Sequence, residues 1–108
     1  MKIKSLADKT GMTIKTGNGD KEVEGIYVCD LLSWVISHAK LNDLWVTVMN
    51  NVNIIAVASL SEVACIVISE NINIDENVLR IAEEKDVTIL SSSLTSAEIV
   101  IKVNALLC

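Results

Sequence analysis

The chain has 108 residues, a formal net charge of −5, and apolar residues over 51% of its length. One domain of that size buries roughly two thirds of the surface its unfolded chain exposes, so neither disulfide nor metal is needed to hold it. Its nine basic residues are outnumbered by fourteen acidic ones and scattered, which argues against a nucleic-acid partner or an anionic membrane surface.

Ser5 to Lys9 reads as a short helix, with Ser5 as N-cap and Gly11 at the stop position. Met12–Thr16 follows as a β-branched strand. Gly17-Asn18-Gly19-Asp20 forms a tight turn into a second strand over Lys21–Val28. From there strands and helices alternate. Asp30 is placed to cap a helix through Ala39, with the stripe Leu31, Leu32, Val35, Ile36 and Ala39. Leu44–Met49 is a strand, Asn50 or Asn51 caps a helix over Val52–Leu60, and Ala64–Ser69 is a buried strand. Asp75 caps a helix through Lys85, and Val87–Leu90 is another strand. Thr95-Ser96-Ala97-Glu98 has capping-box spacing and opens the last helix.

Short connections between alternating elements imply parallel strands joined by right-handed crossovers. The expected fold class is therefore α/β: a single compact domain over residues 1–108, mainly a parallel sheet with alternating helices. An N-terminal helix plus strand pair extends or flanks that sheet. The core is aliphatic, since Phe is absent and Trp34, Trp45 and Tyr27 are the only large aromatics. Such β-branched composition suits a sheet buried on both faces.

The helices Val52–Leu60 and Ile99–Leu107 are apolar nearly all round, where a surface helix should show one stripe. Either they are packed on both sides within the monomer, or a second subunit covers one face. The expectation is a homodimer, with Ile54, Ile55, Val57, Ile99, Val103 and Leu106 at the seam.

Ligands of open parallel sheets bind at the carboxyl ends of the strands. That edge should gather Asn50 and Asn51, then Ser69, Glu70 and Asn71, then Ser91, Ser92 and Ser93. Helix N-termini there favour anions, so a phosphate or small polar ligand is the chemistry to expect. The same residue types are also ordinary caps and turn formers. None of these turns contains glycine, and no phosphate-cradling Gly-rich motif occurs.

Catalytic machinery is not visible. Asp30 and the only histidine, His38, lie eight residues apart, too far along a helix for a hydrogen bond. His38 falls one turn beyond Trp34, which suits a stacked or solvent-facing ring. Glu83, Glu84 and Asp86 read as a solvated acidic helix end. Cys29, Cys65 and Cys108 are widely spaced and lack histidine partners, so no zinc site, metal or cofactor is expected. Cys65 reads as a buried small hydrophobe, and Cys108 as the thiol most prone to oxidise. The opening Ser5–Met12 has a helix-turn-helix look, but no basic recognition helix follows. With no signal-peptide core and no apolar run long enough to span a bilayer, the chain is expected in the cytoplasm.

Two stretches, Gly25-Ile26-Tyr27-Val28-Cys29-Asp30-Leu31-Leu32-Ser33-Trp34-Val35 and Asn42-Asp43-Leu44-Trp45-Val46-Thr47-Val48, together resemble the DRTGG domain family. Asn53-Ile54-Ile55-Ala56-Val57-Ala58, Ala64-Cys65-Ile66-Val67-Ile68 and Val87-Thr88-Ile89-Leu90-Ser91-Ser92 extend the resemblance over essentially the whole chain. It implies a compact α/β domain that pairs with itself and takes part in regulation, with no established chemistry. Relatives accompany CBS domains in regulated pyrophosphatases, precede phosphotransacetylase domains, and are similar to the non-catalytic N-terminal domain of HPr kinase/phosphorylase. A kinase label would mislead. Where many members have Asp-Arg this chain has Asn50-Asn51, and where they have Thr-Gly-Gly it has Ser69-Glu70-Asn71. The functional expectation is a non-catalytic regulatory or assembly domain, a homodimer modulating or scaffolding a partner enzyme. The alternative is a sensor of a small anionic ligand such as an adenine nucleotide.

Overall fold

The computed structural model of the chain describes residues 1–107; Cys108, read above as the oxidation-prone thiol, lies outside them. Among the described residues five helices and five strands follow in the order α1 Ile3–Thr10, β1 Thr13–Ile14, β2 Gly25–Val28, α2 Leu32–His38, β3 Asp43–Thr47, α3 Asn53–Ser61, β4 Cys65–Ile68, α4 Glu76–Glu84, β5 Ile89–Ser91 and α5 Ser96–Leu107. The sheet order is β1-β5-β4-β3-β2. Strands β2 to β5 are parallel, and β1 runs antiparallel beside β5 with Thr13 opposite Ser91.

The chain steps through β2, β3, β4 and β5 in one direction across the sheet. Crossovers of one hand then put all three connecting helices on the same face. Side chains that alternate along the strands divide accordingly. Trp45, Ile66, Ile68 and Ile89 pack with Val35, Ile54, Ile55 and Val78 beneath α2, α3 and α4. Leu44, Val46, Cys65, Val67 and Leu90 pack with Ile3, Leu6, Ile99 and Val103 beneath α1 and α5. The result is three layers with two cores, and the central strands β3 and β4 are buried along their whole length.

This arrangement corrects the expected self-association seam. Ile54, Ile55, Val57, Ile99 and Val103 all lie inside the domain's own cores, and Leu106 is half-buried against the second. Helix α3 is the middle helix of its layer, so its flanks as well as its base meet protein. A third layer takes up these side chains, while Val52 and Leu60 of α3 stay exposed.

The two N-terminal strands extend the sheet at opposite edges rather than pairing as a hairpin. The segment between them crosses the amino-terminal edge and is tied to the start of the chain. Ile3 N–H donates to Lys21 O at 3.0 Å, Val23 N–H donates to Met1 O at 2.9 Å, and Lys2 and Glu22 form an isolated bridge. Gly17 is required there: its φ is +77°, and a Cβ would collide with the Thr88 side chain. Helix α1 starts at Ile3 after Lys2, so Ser5 lies inside it and does not cap it, whereas Gly11 closes it in the left-handed conformation as expected. Among the described residues no helix is long and apolar enough to cross a membrane.

Candidate functional site

Parallel alignment of β2 to β5 brings Asp30, Thr47–Asn51, Ser69–Asn71 and Ser91–Ser93 to one edge. Asp30 does not cap α2, whose N-cap is Leu31 without a side-chain hydrogen bond. Its carboxylate instead accepts from Thr47 Oγ1 at 2.6 Å and from Val48 N–H at 3.0 Å, clipping the end of β2 to the end of β3. Asn51 Oδ1 accepts from Asn53 N–H at 2.9 Å and shapes the entry to α3. Asn50 reaches the other way: its Nδ2 donates to Asn73 O at 2.7 Å and its Oδ1 accepts from Asp75 N–H at 3.3 Å.

Ser69 is fully buried, and its hydroxyl lies 2.9 Å from that of Ser96. Ser92 is also buried, and its Oγ accepts from Leu94 N–H at 3.1 Å. The backbone knits the same loops together, with Glu70 N–H on Leu94 O at 2.9 Å and Asn71 N–H on Ser92 O at 2.8 Å. Thr95 and Glu98 form the expected capping box: Thr95 N–H donates to Glu98 Oε1 at 3.0 Å, and Glu98 N–H donates to Thr95 Oγ1 at 3.2 Å. Accepting that backbone N–H, above all, holds the Glu98 carboxyl below its ordinary value.

Glu70 and Asn71 both adopt left-handed backbone, with φ of 68° and 55°. That conformation is one glycine adopts most readily.

Of the seven expected ligand-binding residues, Asn50, Asn51, Ser69 and Ser92 are thus engaged in holding loops. Glu70 and Ser93 are exposed. Ser91 lines a cavity of about 330 Å³ together with Lys15, Asn71, Ile72, Asn73 and Ile74. Lys15 escaped the sequence reading, because its place beside β5 depends on β1 crossing to that edge. A cleft of about 420 Å³ lies near the opposite edge, lined by Lys21, Asn42, Glu62, Lys85, Asp86 and Thr88 among others. Helices α3 and α4 end there. Helix C-termini carry partial negative charge, which explains why Lys21 Nζ donates to Asp86 O at 3.3 Å.

His38 stacks on Trp34 with ring centroids 4.1 Å apart, and its Nδ1 lies 3.0 Å from both Trp34 O and Ser37 Oγ. It does not meet Asp30. Cys65 is buried, and burial pushes its thiol up to about 12. Among the described residues no group of three His, Cys, Asp or Glu side chains is placed to hold a metal.

Fold and edge together define a small three-layer α/β domain whose strand-end loops are closed by their own hydrogen bonds. The chain belongs to the DRTGG domain family, whose model matches residues 5–106. Its fold is similar to the CBS and DRTGG domains of the regulatory region of Clostridium perfringens pyrophosphatase, solved with the activator diadenosine tetraphosphate. That likeness has a TM-score of 0.73 at 9% identity and covers 94% of this chain and 45% of that one. The chain therefore spans less than half of that regulatory region, and the likeness is one of fold. No curated protein matches the chain.

Proposed function

We propose that this chain is a non-catalytic regulatory or assembly domain, a cytoplasmic homodimer that modulates or scaffolds a partner enzyme. One observation carries the reading. The edge where open α/β sheets take ligands is occupied by the domain's own hydrogen bonds, from Asp30–Thr47 to Ser69–Ser96, while apolar side chains stand uncovered on the helical layer. Leu31, Trp34, Ile36 and Leu60 are each about half exposed or more. Surface of that kind serves contact with another protein better than chemistry. Membership of a family with a regulatory pyrophosphatase relative supports the same reading.

A second reading, a sensor of a small anion such as an adenine nucleotide, has one observation in its favour. Lys15, Asn71, Asn73 and Ser91 surround the cavity beside β5 with one cation and several polar groups. Thermal melting with AMP, ATP and diadenosine tetraphosphate separates the two. A ligand at a hundred times its Kd adds about 2.7 kcal/mol to stability. Flat melting curves are the outcome expected of an assembly domain. A rise that Lys15→Ala abolishes would establish the sensor instead.

A further inference from the structure

We infer that the free edge of β2 takes an extended segment of a partner protein, and that a lysine or arginine of that segment reaches across Gly25 to the Asp43 carboxylate. The inference rests on the assembly reading above and assigns the surface that receives the partner.

A buried carboxylate without a cation is the first observation. Asp43 is only 8% exposed, and Lys40 N–H donates to its Oδ2 at 2.8 Å. Among the described residues its Oδ1 accepts no hydrogen bond. The ion pairs there join the Met1 amino group to Glu22, Lys4 to Asp20 and Arg80 to Glu84, and none includes Asp43. A charge so deeply placed is ordinarily paired. Nor is Oδ1 sealed, since Ser61 Oγ is the one enclosed side-chain atom without a partner among those residues. Asp43 lines a cavity of about 550 Å³ with Glu24, Gly25, Tyr27 and Lys40 among others. The Lys40 ammonium pairs with neither Asp43 nor Glu24, so two unpaired carboxylates call for a cation from outside.

Gly25 is what opens the carboxylate. Its backbone is not left-handed, so the conformation does not require glycine. A Cβ there would stand 2.5 Å from Asp43 Oδ1. Glycine inside a strand marks such points of close approach. The same distance places Oδ1 over β2 itself. A strand added beside β2 would pass about 4.8 Å away, which a lysine or arginine side chain spans.

The edge is also free to receive a strand. β2 ends the sheet. Glu24 N–H donates to Asn42 O at 3.0 Å, which fixes the alternation: Glu24, Ile26 and Val28 turn their backbone groups toward β3, and Gly25 and Tyr27 turn theirs outward. Among the described residues nothing bonds to those outward groups. Gly25-Ile26-Tyr27-Val28 also lacks the charges and proline by which edge strands repel a neighbour. A β2 strand from a second copy would bring no cation and would set one Asp43 near another. The occupant is therefore a segment of different sequence, with its basic residue opposite Gly25 and an apolar one two positions away beside Tyr27.

For the test, short random peptides displayed on phage are selected against the full chain. Recovered sequences are then synthesised for titration and for amide hydrogen exchange by NMR. They should share a lysine or arginine with an apolar residue two positions away, and should protect the Gly25 and Tyr27 N–H groups on binding. Asp43→Asn keeps an acceptor for Lys40 N–H but removes the charge, and Gly25→Ala sets a methyl against the carboxylate. Each should weaken binding about tenfold or more, with circular dichroism showing both variants folded. Replacing the peptide's basic residue by norleucine should do the same with the protein unchanged. Peptides that bind Asp43→Asn as tightly as the parent overturn the inference. So does arginine amide binding as tightly as the peptides without protecting Gly25 and Tyr27, because that is a small-cation site and not a docking edge. Protection confined to other elements overturns the placement and leaves the assembly reading standing. If no peptide is enriched the inference fails as well, and the mass of the chain in solution then decides the reading separately.

Discussion

Thr47 Oγ1 lies 2.6 Å from the Asp30 carboxylate, so the ends of β2 and β3 are joined by a charge-assisted hydrogen bond at the edge where a ligand would sit. The bond is supplemented by Val48 N–H at 3.0 Å. Asp30→Ala leaves Thr47, which is buried, without this partner. A cost of about 1.5–3 kcal/mol follows for a hydrogen bond to a charged group. Asp30→Asn, which keeps an acceptor, should lose less. Urea unfolding of the two variants checks the order, and equal stabilities would refute the clip.

Glu70 offers a test with the opposite sign. A non-glycine residue in left-handed backbone is strained by about 1–2 kcal/mol, and glycine forfeits part of that relief through its freer unfolded chain. Glu70→Gly should therefore raise stability by up to about 1 kcal/mol in urea melts. A clear loss would mean that the Glu70 side chain holds the turn in a way its exposure does not reveal.

The capping box of α5 should be sensitive to acid. The Glu98 carboxyl lies below its ordinary value because it accepts the Thr95 N–H. A carboxyl lowered on folding stabilises the protein above its unfolded value, and that contribution fades as pH falls through the folded one. Comparing Glu98→Gln with the parent should give stability curves that differ at neutral pH and converge in the acid range. Removing the cap itself, Thr95→Ala, should cost about 1 kcal/mol at neutral pH.

Cys65 and Cys29 should differ in reactivity. Burial raises the Cys65 thiol to about 12, so its thiolate is scarce at neutral pH and shielded from reagents. Cys29 is half-buried on the run leading into α2. Mass spectrometry after brief alkylation at pH 8 should find Cys29 modified and Cys65 intact until denaturant is added. Early labelling of Cys65 would show that the sheet opens locally.

Much of this architecture is legible in the sequence because its signals are local. The alternation of apolar strands and helices gave every element in order from α1 to α5, and Thr95 with Glu98 located the start of the last helix, whereas Ser5, Asp30 and Asp75 make no side-chain cap. What escaped depends on contacts remote along the chain. Asp30 has the look of a helix cap, and only the arrival of Thr47 beside it shows that the carboxylate serves the sheet instead. Lys15 reaches the Ser91 cavity because β1 lies against β5, a pairing across more than seventy residues. The apolar character of α3 was plain, but hydrophobicity does not say which side faces protein. Ile54 and Ile55 face the core, whereas Leu60 and Val52 do not, and that division needed the sheet order to fix α3 in the middle of its layer.

A dimeric assembly domain should keep the same mass whether or not nucleotide is present, which light scattering on a sizing column in reducing buffer, with and without adenine nucleotides, reads out. Twice the 11.7 kDa chain mass is expected under both conditions. A monomer in either condition, or a mass that changes when nucleotide is added, would contradict it.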